Sequence, residues 1–155
     1  MTQPIILIDT RENKNGFIEE ELERRFGMAY ERTKLMCGDY MLMSNPFLSI
    51  DRKANIQEIV GNVTHQHYRF REECLRAKRL GIKLIVLIQD ERIHSLADLD
   101  TWRNQRRRKF PKATTGKQLR KILETMEERY GVEFQFVSKR KYTARILELL
   151  GVDYN

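Results

Sequence analysis

Three acids and a lysine are the residues here whose type and spacing suit chemistry. Asp9 closes the apolar run Pro4–Asp9 (PIILID), and Asp39 follows Gly38. Asp51 closes Phe47–Asp51 (FLSID), with Lys53 two residues beyond it. Side chains at i and i+2 of a strand share a face, so Asp51 and Lys53 point at one spot if the strand runs through both. Two carboxylates held close repel each other unless a cation lies between them. Hard oxygen donors suit Mg²⁺ or Mn²⁺, completed by water and substrate phosphate. Such an ion lowers the pKa of bound water and stabilises charge on a phosphate under attack. An adjacent lysine orients the water or the scissile phosphate. Taken singly each element is common, because D-x-K recurs by chance and an acid at a strand end also serves as turn former or helix cap.

The elements that must position these residues follow from periodicity. Pro4–Asp9 reads as a buried strand. Ile18, Leu22 and Phe26, four apart, mark a helix opened by Asn15-Gly16 and closed by Gly27. Strands are expected over Met28–Leu35, Gly38–Met43 and Phe47–Asp51, with Asn45-Pro46 as the turn before the last. The third and fourth should be antiparallel neighbours, which brings Asp39 and Asp51 to matching ends of a hairpin. Helical periodicity runs from Asn55 to Leu80 with a break near Gly61–His65. The unbroken run Ile82–Gln89 (IKLIVLIQ) suits a strand covered on both faces. Leu119, Ile122, Leu123, Met126 and Tyr130 mark an amphipathic helix stopped by Gly131. A strand over Glu133–Val137 and a helix carrying Tyr142, Ile146, Leu149 and Leu150 complete the order. The expected fold class is α/β, a central mixed sheet with helices on both faces.

The length of 155 residues is that of one domain. Lys and Arg number 29 against 22 acids, a net charge of +7 that favours a polyanion partner. The charge is uneven: residues 1–100 carry a net −1 and residues 101–155 a net +8. No acid occurs between Asp100 and Glu124, a window with nine basic residues. Arg103, Arg106, Arg107, Arg108 and Lys109 are its candidates for nucleic-acid phosphates, with Trp102 and Phe110 able to stack on a base. A solvated arginine-rich loop is the alternative, and composition does not separate DNA from RNA. Cys37 and Cys74 make neither a disulfide framework nor a zinc quartet. His65 and His67 lack further ligands nearby, and Thr114–Gln118 (TTGKQ) lacks the first glycine and the Mg²⁺-holding hydroxyl of a phosphate loop. Arg69, Arg71, Arg76, Lys78 and Arg79 either extend the basic surface or form a solvated face with Glu72 and Glu73. No apolar run approaches a membrane span, and nothing at the N-terminus resembles a secretory signal. The expected setting is cytoplasmic or DNA-associated.

Three ordered blocks, Ile8-Asp9-Thr10-Arg11-Glu12, Gly38-Asp39-Tyr40 and Ile50-Asp51-Arg52-Lys53, resemble the nuclease domain of the XPF/Hef structure-specific endonucleases. That family is a branch of the PD-(D/E)XK superfamily, with a restriction-endonuclease-like core. The resemblance spans about residues 5–90 and continues beyond only in the α/β pattern. It implies that Asp39 and Asp51 bind metal, that Lys53 is the catalytic lysine, and that Asp9 is an additional acid of the site. Arg11 and Glu12 are similar to a polar pair lining it. Arg52 is similar to the family's arginine, with a DNA contact or a neighbouring surface charge as its two readings. The family carries Glu where this chain has Asp51, and the superfamily accepts either. It also places an acid four residues after the lysine, where this chain has Gln57; Glu58 would face about 100° away on a helix.

The resemblance thus implies a Mg²⁺ (or Mn²⁺)-dependent endodeoxyribonuclease acting on duplex or branched DNA. A non-catalytic DNA-binding or partner subunit with a decayed site is the second reading, and an unrelated RNA-binding module the third. The family often pairs two nuclease domains, which makes a homodimer an expectation. It also joins this domain to a tandem helix-hairpin-helix domain; residues 1–155 are expected to be a single nuclease domain without it. The Arg-rich segment 102–121 is then expected to carry DNA binding.

Overall fold

Residues 3–154 are described, in a computed structural model. The sheet has the strand order β2-β1-β3-β4-β5-β6. Its strands are β1 (Ile5–Asp9), β2 (Ala29–Thr33), β3 (Tyr40–Leu42), β4 (Asn45–Lys53), β5 (Lys83–Gln89) and β6 (Glu133–Val137). β3 runs antiparallel to β1 and β4, and the other neighbours are parallel. The sheet is therefore mixed, and β3 is the strand that reverses it.

Helices cover both faces. On one, α1 (Gly16–Arg24) and α5 (Tyr142–Leu150) bury Ile18, Leu22 and Ile146 with Ile6, Ile8 and Ile50. On the other lie α2 (Ile56–Val63), α3 (His67–Arg79) and α4 (Gly116–Tyr130), which bury Ile59, Phe70 and Leu123 with Val86 and Ile88. Within β5 the run Leu84–Ile88 is apolar throughout because its side chains feed the two cores: Leu84, Val86 and Ile88 face one, Leu87 the other.

β2 and β3 are shorter than the expected Met28–Leu35 and Gly38–Met43, and two differences in β4 bear on the site. β4 starts at Asn45, so the hairpin turn falls on Met43-Ser44 rather than on Asn45-Pro46. Pro46 is tolerated because β4 gains its β5 partner only at Leu48, and the β3 ladder is irregular at Met41/Leu42. At its other end β4 continues through Lys53, which pairs with Ile88. The lysine is thus a strand residue, on the same face as Asp51.

A short 3-10 turn, Ala97–Thr101, leads into the basic window, and a second, Gln105–Arg108, lies within it. The phosphate-loop-like stretch is the start of α4: Thr115 caps the helix in a reciprocal box with Gln118. Gly116 follows because the helix end presses against the carbonyls of Leu99 and Trp102, where a Cβ would collide.

Candidate active site

Sheet order aligns the three acids. Asp9 ends β1, Asp39 directly precedes β3, and Asp51 lies at the matching end of β4, on three neighbouring strands. The Asp39 N–H donates to the Ile50 carbonyl at 2.7 Å, and the Asp9 N–H to the Asp39 carbonyl at 2.9 Å. Gly38 makes this approach achievable: at φ +74° its α-carbon lies against Ser49, leaving no room for a side chain.

The Asp39 and Asp51 carboxyls lie within hydrogen-bonding reach of each other. Burial, then the Asp51 charge, pushes the Asp39 carboxyl well above its ordinary value; the Arg52 N–H, 2.7 Å from Asp39 Oδ2, opposes this. Asp51 is buried, and its Oδ2 receives no directed hydrogen bond although Lys53 Nζ is 3.0 Å away. Burial works against the Lys53 ammonium, but Asp51, Glu58 and Glu73 hold it charged, above the ordinary value. The Phe70 ring, 5.3 Å from Nζ, adds a cation–π contact.

Asp9 is engaged differently. Its Oδ1 accepts the Leu35 N–H at 2.8 Å, and its Oδ2 accepts Arg11 N–H groups from backbone and side chain at 3.0 and 2.9 Å. Burial raises the Asp9 carboxyl, and these bonds outweigh it, leaving it below the ordinary value. Asp9 thus ties down the loop that leads to Gly38.

The polar pair separates. Arg11 stays on the side of the acids, lining a cleft with Lys53. Glu12 takes a two-pronged pair from Arg52, at 2.7 and 3.2 Å, with both side chains almost fully buried. Alternation accounts for this: Arg52 lies between Asp51 and Lys53 and projects from the opposite face, towards Tyr40 and Tyr142. Its guanidinium faces Glu12 and the Asn13 carbonyl rather than a surface open to DNA.

Glu73 joins the site without having been singled out in the sequence. It extends from α3, accepts the Gly38 N–H at 3.2 Å and lines the cleft with Lys53. Burial and then Asp51 raise its carboxyl, with Lys53 opposing. The signal available was its place in α3 one residue before the core residue Cys74, which turns it to the sheet-facing edge of the helix. Cys37 and Cys74 are buried thiols pushed up to about 11 and about 12 by burial, then by Glu73.

Gln57 has a definite task. Its amide donates to Asn104 Oδ1 at 2.6 Å, and Asn104 also accepts the Arg106 N–H and donates to the Thr114 carbonyl. Glu58 turns back to accept the Ala54 N–H at 2.9 Å. The basic segment is thereby docked on α2, with Arg103, Arg106, Arg107, Arg108 and Lys109 exposed. Phe110 is exposed under Arg106 and Lys109, whereas Trp102 packs partly against the core and is not an open stacking face. Two of the grooves formed by this segment adjoin α2 and a third lies against the start of α4; none includes Lys53.

The donor set fits a hard divalent cation: a buried carboxylate with an oxygen lacking a directed donor, on Asp51, beside a half-buried one, on Asp39. Among the described residues no three His, Cys, Asp or Glu side chains gather closely enough to hold a metal alone. Two carboxylates are the protein share that Mg²⁺ commonly takes. No helix among the described residues is long and apolar enough to cross a membrane.

The fold matches XPF from Aeropyrum pernix with a TM-score of 0.60 at 14% identity, covering 95% of this chain and 60% of that one. It matches XPF from Aeropyrum pernix in complex with DNA with a TM-score of 0.64 at 16% identity, over 96% and 63%. The chain thus spans about three fifths of those chains. No curated protein matches the sequence. The ERCC4 domain model matches residues 8–150, from the strand that ends in Asp9 to the last residue of α5. All three motif blocks fall in that span, as does the tail that resembled the family only in pattern, and the chain belongs to the ERCC4 domain family.

Proposed function

We propose that the chain is a metal-dependent DNA endonuclease that hydrolyses phosphodiester bonds in duplex or branched DNA, in repair or recombination. The observation that carries this reading is the pairing of Asp39 and Asp51 beside a charged Lys53, itself 3.0 Å from Asp51. Asp39 and Asp51 would hold Mg²⁺ or Mn²⁺, which when bound supplies charge stabilisation and an acidified water. Lys53 lines the cleft and offers N–H donors to a phosphate oxygen or to the attacking water. Arg11 neutralises Asp9 and leaves a largely exposed guanidinium on the same cleft for the substrate backbone. Glu12 and Arg52 brace β4 from behind. Arg103 and Arg106 to Lys109 supply further phosphate contacts from the docked basic segment, and a homodimer belongs to the same reading.

A second reading, a partner subunit that binds DNA without cutting, draws on Gln57, which is committed to Asn104 and brings no carboxylate. One experiment separates the two. Flap, fork and linear DNA are incubated with the protein in Mg²⁺ or Mn²⁺ beside Asp51→Ala and Lys53→Ala. The nuclease reading expects metal-dependent cutting that each substitution reduces about a hundredfold or more. Binding without cutting, indifferent to both substitutions, favours the partner subunit.

A further inference from the structure

The cleft that Lys53 lines, with a volume of about 710 Å³, has a second chemistry along its walls. One wall is α3, contributing Tyr68, Arg69 and Arg76; another is the segment before Gly38, contributing Met36. Arg76 reaches between them, donating from Nη1 to the Met36 carbonyl at 3.4 Å. Tyr68 is 73% exposed and Met36 62%, and neither belongs to the two cores. A single exposed apolar side chain is unremarkable. Two on one polar cleft, interleaved with arginines, make the combination that holds single-stranded nucleic acid: flat or polarizable surfaces for bases and cations for the backbone. In a paired, stacked duplex those base faces are already covered.

Resting on the nuclease reading, we propose that Tyr68 and Met36 bracket an unpaired nucleobase beside the phosphate presented to Lys53. The Lys53 cleft is then a single-strand subsite. The basic segment on α2 holds backbone phosphates whether or not the bases are paired, so the two surfaces divide the substrate between them. The bracket adds selection for an unpaired arm to a site otherwise blind to base pairing.

The test uses the whole chain without divalent metal, so that binding is read apart from cutting. A forked DNA carrying 2-aminopurine in an unpaired arm is titrated beside a blunt duplex. Tyr68→Ala should weaken fork binding about fivefold or more, reduce the 2-aminopurine quenching and leave duplex affinity unchanged. Met36→Ala should act in the same direction, and Tyr68→Phe, which keeps the ring, should behave as the unsubstituted chain. Fork affinity and quenching unaffected by Tyr68→Ala, or equal losses on fork and duplex, would overturn the bracket while leaving the nuclease reading intact. Failure of the unsubstituted chain to bind either DNA would overturn both.

Discussion

The most consequential side chains work in pairs of opposite kind. The buried Glu12–Arg52 pair lies behind the site, and removing one partner strands a charge. Glu12→Ala should destabilise the fold by about 3–5 kcal/mol, while a Glu12→Leu/Arg52→Met double variant loses less than the sum of its single changes. Urea titrations of the unsubstituted chain, Glu12→Ala, the double variant and its two single changes measure this. Glu73 meets a milder demand, that of accepting the Gly38 N–H. Glu73→Gln retains an acceptor there; Glu73→Ala should cost about 1 kcal/mol more, read in the same titrations.

Among the elements, β4 decides the site and α2 decides where the basic segment lies. Asn104 is buried and serves Gln57, the Arg106 N–H and the Thr114 carbonyl together. Asn104→Ala should lower stability by about 1–3 kcal/mol and speed amide exchange over residues 103–115, which hydrogen-exchange measurements would resolve. Much of the arrangement was legible in the sequence. The short connection between the third and fourth strands forecast an antiparallel hairpin with Asp39 and Asp51 at matching ends, and alternation forecast that Asp51 and Lys53 share a face. The role of Gln57 was not legible, because its partner lies 47 residues away and no local pattern announces such a bond. Nor was the inward turn of Glu73: an Arg- and Glu-rich helix face reads as solvated until the packing of Phe70 and Cys74 fixes its rotation. Pro46 misled for a local reason, since proline marks turns wherever a strand needs its N–H, and here β4 does not.

For the whole molecule, charge is spread over two surfaces with different dependences. Neutralising Arg106, Arg107 and Arg108 together should weaken DNA binding and flatten log K against log salt by about 2 to 3. An unchanged slope would mean that these arginines do not touch phosphate. At the acids the dependence is on pH. The Asp39 carboxyl is raised in the folded state, so in the absence of a cation its stabilising contribution is present in acid and is lost as pH rises through the carboxylate range. Mg²⁺ or Mn²⁺ should therefore raise the melting temperature at neutral pH and much less in acid. Asp39→Asn should stabilise the metal-free chain at neutral pH and remove that rise, as thermal melts at both pH values would show.

Arg52 and Lys53 are consecutive, yet one is sealed behind the sheet with Glu12 while the other fronts Asp51. The strand therefore stores the identity of its two cations as parity. Substitutions can tune either cation separately. An insertion or deletion of one residue in β4 before Arg52 would exchange them: the compact ammonium would meet a carboxylate built for a two-pronged guanidinium, and the bulky fork would be thrust into the acids. Such a change has no halfway state, so the length of this strand is under a stricter constraint than the chemistry of any one residue in it.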